Sequence, residues 1–73
     1  MRLTLLDKDR DSKSKACPSV YIADTGELVI QGAEVTGDDT SALQDPLPSE
    51  TAVRISPEII LRAVEKYKRN GVS

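Results

Sequence analysis

Residues 18–32, PSVYIADTGELVIQG, decide the fold. SVYIA and ELVIQ are rich in β-branched and aromatic residues, and Asp24-Thr25-Gly26 between them suits a three-residue hairpin loop with its glycine in the left-handed conformation. Setting Ala23 opposite Glu27 fixes the register. Ile22 then faces Leu28 and Val20 faces Ile30 on one side, while Tyr21 faces Val29 and Ser19 faces Gln31 on the other. The first side is wholly aliphatic, as a sheet covered by another element requires. Gly32 marks a bulge or the end of pairing, after which Ala33-Glu34-Val35 can continue the strand.

Working outward from the hairpin, RLTLL (2–6) reads as an edge strand with Leu3 and Leu5 on one face, and TAVRI (51–55) as a final strand presenting Val53 and Ile55. Ser56-Pro57-Glu58 is a helix start, with serine at the N-cap, proline where its missing N–H costs nothing, and an acid in the first turn. Ile60, Ala63, Val64 and Tyr67 form one apolar stripe, opposite Arg62, Glu65, Lys66 and Arg69, and Gly71 stops the helix. The expectation is an α+β fold: a small antiparallel sheet of three or four strands (2–6, 18–23, 27–35 and 51–55) with one C-terminal helix (57–70). Residues 1–73 form a single domain. It contains a charged loop over 7–16 and an acidic loop over 36–50. In the acidic loop Asp38 or Asp39 can cap a short turn over Ala42 and Leu43, and Pro46 and Pro48 forbid anything longer.

A domain of this length buries only about 60% of the surface its unfolded chain exposes. There is no Phe and no Trp, so Val, Ile, Leu and Ala must build a thin core. Cys17 is the only cysteine, which leaves no internal disulfide, and there is no histidine for a zinc site. No apolar run approaches the length of a membrane span or signal peptide. The expectation is a cytoplasmic protein that gains stability by pairing with itself or a partner.

The net charge of −2 conceals a segregation. The balance is +2 over residues 1–15, −7 over 16–53, where no basic residue occurs, and +3 over 54–73. Opposite-sign segments can therefore face each other within one chain or across a dimer.

Asp7, Asp9 and Asp11 alternate as at the opening of a calcium loop, but a loop starting at Asp7 needs glycine sixth and glutamate twelfth, and Ser12 and Pro18 stand there. With Lys8, Arg10, Lys13 and Lys15 interspersed, the stretch reads as a solvated charged loop. The same cations, joined by Arg62, Lys66, Lys68 and Arg69, raise nucleic-acid binding as an alternative, with Lys66, Lys68 and Arg69 as its candidate contacts. Against it stand the acidic balance of the chain and the lack of aromatics among the lysines. Cys17 reads as a small hydrophobe at a strand start. Without a histidine base or a glycine-rich phosphate loop, no catalytic residue, metal or cofactor is expected. The candidate interface is the aliphatic hairpin face, Val20, Ile22, Leu28 and Ile30, together with Ile60, Val64 and Tyr67 of the helix stripe.

CPSVYIADTGELVIQG, preceded by MRL and a short charged loop, resembles the pattern S-P-T-x-Y-x-T-D-x-G-x-x-V-V-Q-G of small uncharacterised actinobacterial proteins, Streptomyces-type, encoded beside helix-turn-helix regulators. Pro18, Tyr21, Asp24, Gly26, Gln31 and Gly32 carry the resemblance, which extends through AEVTGDD and PLPSETAVRI into the helix start. Cys17, Ser19, Ala33-Glu34 and the longer C-terminal helix depart from it. RDSK (10–13) and SPE (56–58) are a weaker echo of BldB-like proteins. The first resemblance implies a cytoplasmic accessory of a regulator, with no catalytic residue to transfer. The function expected is therefore a non-catalytic interaction module, homodimeric, with a helix-turn-helix regulator as partner. The alternatives are a small nucleic-acid-binding protein and an antitoxin-like inhibitor.

Overall fold

A computed structural model describes residues 1–9 and 18–69. Five strands and one helix follow in chain order: β1 (Leu3–Lys8), β2 (Ser19–Ala23), β3 (Leu28–Gln31), β4 (Ala33–Glu34), β5 (Val53–Arg54) and α1 (Pro57–Arg69), with a 3-10 helix over Gly37–Ala42. The fold class is the expected α+β.

The hairpin register is the one the aliphatic alternation dictates, from Ser19↔Gln31 to Ile22↔Leu28. Ala23 N–H donates to Glu27 O at 2.8 Å and Gly26 N–H to Ala23 O at 2.9 Å, closing the loop with Gly26 at φ 93°. Across the strands Tyr21 hydroxyl donates to Gln31 Oε1 at 2.7 Å, a diagonal pair on the face away from the helix. β1 pairs antiparallel with β2, giving the order β1-β2-β3, so β1 is an edge strand as expected. It runs further than 2–6, however: Asp7 and Lys8 pair with Val20 and Ser19, and Asp9 N–H donates to Pro18 O at 2.9 Å. Asp7 and Lys8, expected in a charged loop, are thus strand residues, and positions 10–17, Cys17 included, lie outside the described residues.

A second difference concerns the sheet. Strand 27–35 is broken at Gly32, and β4 leaves the main sheet to pair with β5 in a separate two-stranded sheet, Ala33↔Arg54 and Glu34↔Val53. At the break the backbone of β5 passes so close that a Cβ on Gly32 would lie 2.6 Å from Arg54 O. Asp38 and Asp39 fall inside the first turn of the 3-10 helix instead of capping it; Thr36 holds the cap position.

Helix α1 packs against β1 and β2. Leu6, Val20, Ile59 and Ala63 form the buried core, with Ile22, Ile55, Ile60 and Tyr67 half-buried around it. Among the described residues a core cluster of four buried side chains is the thin core that the composition forecasts. The helix is turned relative to the expected stripe. Ile59 and Ala63, one turn apart, occupy its buried centre, and Ile60, Val64 and Tyr67 form the flank. Leu3 and Leu5, which share one face of the strand as expected, remain 43% and 47% exposed, while Leu6 is buried.

Candidate functional site

The best-defined polar cluster grows out of an irregularity in β1. Pairing shifts between Leu5 and Asp7, so Leu5 opposes Tyr21 while Asp7, two residues later, opposes Val20, the next residue of β2. Strict alternation from Thr4, opposite Ile22, would send Leu6 toward the helix and Asp7 away from it. The bulge delivers both to the helix side. Leu6 enters the core and Asp7, 4% exposed, meets the helix.

There Arg62 Nε donates to Asp7 Oδ2 at 2.9 Å and Lys66 Nζ to Asp7 Oδ1 at 2.8 Å. The two cations sit one turn apart on α1, so a single carboxylate bridges both. Their side chains keep 50% and 36% of their exposure, against 3% for that of Asp7. Burial by itself pushes the Asp7 carboxyl upward. The hydrogen bonds from Lys66 and Arg62 and then their charges outweigh it, holding the group below the usual carboxylate range. An open cleft of about 620 Å³ lies over the cluster, with Asp9, Ser56 and Glu58 on its rim.

A carboxylate kept ionised by two cations is a weak base. The chemistry available to this cluster is electrostatic fastening of α1 to β1. Arg62 and Lys66, expected on the solvent side of the helix, are therefore relocated to the edge of the packed side. Among the described residues no group of three or more carboxylates, histidines or cysteines stands close enough to hold a metal ion. No described helix is long and apolar enough to cross a membrane.

The candidate interface divides in two. Val20, at 1% exposure, is core and cannot contribute to a surface. Leu28 and Ile30 lie on the same face of the sheet and are 42% and 41% exposed, because α1 covers β1 and β2 and stops short of β3. Ile22 is half-buried between them and the core. On the helix, Arg62 and Lys66 reach for β1, and Ile60, Val64 and Tyr67 lie half-buried on the opposite flank. Leu28 and Ile30 are thus the uncovered apolar end of the sheet face, beside the part that α1 covers. Of the candidate nucleic-acid contacts, Lys66 is held by Asp7, whereas Lys68 and Arg69 are exposed.

The roles of Leu6, Asp7 and Leu61 differ from those expected of them. That Leu6 and Asp7 both face the helix depends on a bulge that no residue in RLTLLD marks. Leu61, 64% exposed on the outer side of α1, falls outside the expected apolar stripe, and its helical spacing is the signal for that exposure. No protein-family model, curated protein or solved structure matches this chain.

Proposed function

We propose that this chain is a non-catalytic protein-interaction module that self-associates and serves as a cytoplasmic accessory of a DNA-binding regulator. The observation that carries the reading is the uncovered end of the aliphatic sheet face: Leu28 and Ile30 stay more than two-fifths exposed beside a core cluster of four buried residues among those described. A small domain that leaves large aliphatic side chains in water next to its core has apolar surface to bury on a partner. The segregation of charge into basic ends and an acidic middle adds the orientation that such an encounter uses. The regulator as partner rests on the resemblance of the hairpin to proteins encoded beside helix-turn-helix regulators.

Light scattering across a concentration series tests self-association: the mass rises toward twice that of the chain, and a constant single-chain mass at tens of micromolar ends the reading. Co-expression with a helix-turn-helix regulator of the kind encoded beside the proteins that the hairpin resembles tests the second half, which fails if the two never co-purify. Nucleic-acid binding through the exposed Lys68 and Arg69 is the second reading. It requires a gel-retardation signal that weakens steeply with salt and disappears in the Lys68→Ala/Arg69→Ala variant.

A further inference from the structure

The uncovered apolar face of β3 fits a specific occupant. Its residues, Leu28 and Ile30, lie in the segment 18–53, which carries seven acidic residues and no basic one. That segment cannot receive an acidic partner, and edge-to-edge pairing of two β3 strands would set two such segments side by side. The complementary element is on the page: the outer side of α1 presents exposed Leu61 and half-buried Val64, followed by Lys68 and Arg69 in a last turn that is basic. Leu61, Val64 and Lys68 stand at i, i+3 and i+7, one continuous stripe of helix surface.

We propose that two copies of this chain pair face to face, the outer stripe of α1 from each copy seated on Leu28 and Ile30 of the other, giving a sheet–helix–sheet sandwich. This deepens the self-association reading, on which it rests, by naming the surface and its occupant. The orientation follows from charge. Asp9, Ser56 and Glu58 share one cleft, which places the start of α1 at the Asp9 end of β1 and its basic end toward the hairpin loop. A two-fold axis parallel to the strands keeps that sense in the partner. Lys68 and Arg69 of each copy then approach Asp24 and Glu27 of the other, and the contact is reciprocal and closes after two copies. The arrangement also covers Leu61, the most exposed apolar residue of the helix.

Sedimentation equilibrium on the full chain tests the assembly, with circular dichroism confirming that each variant is folded. All the substituted side chains are exposed, so loss of fold is not the expected consequence. Leu28→Lys and Leu61→Glu should each weaken the dimer about tenfold or more, as removing an apolar anchor does. Lys68→Glu should weaken it, and adding Glu27→Lys in the same chain should recover a measurable part of the loss. A dimer indifferent to Leu61→Glu overturns this arrangement while leaving self-association standing. A chain that stays monomeric overturns both.

Discussion

Lys66 Nζ lies 2.8 Å from Asp7 Oδ1, joining the last turns of the C-terminal helix to the first strand of the sheet across 59 positions of chain. Arg62 grips the other oxygen of the same carboxylate at 2.9 Å. The contact is unequal: the acid is nearly inaccessible, while both cations reach water. Removing one side therefore differs from removing the other.

Asp7→Asn leaves two half-exposed cations that water can solvate, and the expected loss is about 1–2 kcal/mol. Replacing both Arg62 and Lys66 by methionine strands a buried carboxylate without a counter-charge, and the expected loss is about 3 kcal/mol or more. Urea denaturation of the two variants checks the order. Equal losses would show that the carboxylate is solvated in the folded state.

Acid should act through the same residue. The folded-state pKa of Asp7 lies below its unfolded value, so the folded chain holds the proton less tightly than the unfolded one. The stabilisation is fully present above the unfolded value of about 3.9 and is lost as pH falls through the folded one. Denaturation midpoints of the native chain should accordingly drop on acidification below about pH 4, and those of Asp7→Asn should drop less. Parallel curves for the two proteins would remove Asp7 from the acid response.

Gly32 separates the two sheets. Alanine there must clear Arg54 O, which lies 2.6 Å from the Cβ position and is backbone, unable to swing aside. Gly32→Ala should open the β4–β5 pair at a cost of about 1–3 kcal/mol. Faster hydrogen exchange is expected at Val35 N–H, which donates to Ala52 O at 2.9 Å, with little change in the hairpin. Unchanged exchange at Val35 would mean that the two strands do not approach closely at Gly32.

How much of this was legible depends on the range of the interactions involved. The hairpin was readable residue by residue because alternation, loop length and the left-handed glycine all lie within fifteen positions and agree. The rotation of α1 was not. Its apolar residues, Ile59, Ile60, Leu61, Ala63, Val64 and Tyr67, span a wide arc, and periodicity alone allows more than one buried centre. What selects Ile59 and Ala63 is the anchoring of Arg62 and Lys66 on Asp7, a contact 55 and 59 positions distant that depends on a bulge. The break at Gly32 was anticipated as a possible end of pairing. The second sheet was not, because its partner strand arrives after the whole acidic loop.

Val20 is the most deeply buried large side chain, 1% exposed, and touches the core from the middle strand of the sheet. Truncating it to alanine leaves a cavity under Ile59 and Ala63 and should cost about 2 kcal/mol. A domain of this size has only a few kcal/mol in hand. If the chain pairs as proposed, it draws part of its stability from mass action, because unfolded copies do not pair. The melting temperature of Val20→Ala should therefore lie well below that of the native chain at low micromolar concentration and recover as concentration rises. A deficit that stays the same across a hundredfold range of concentration, together with a native melting temperature that does not move, would separate core stability from association altogether.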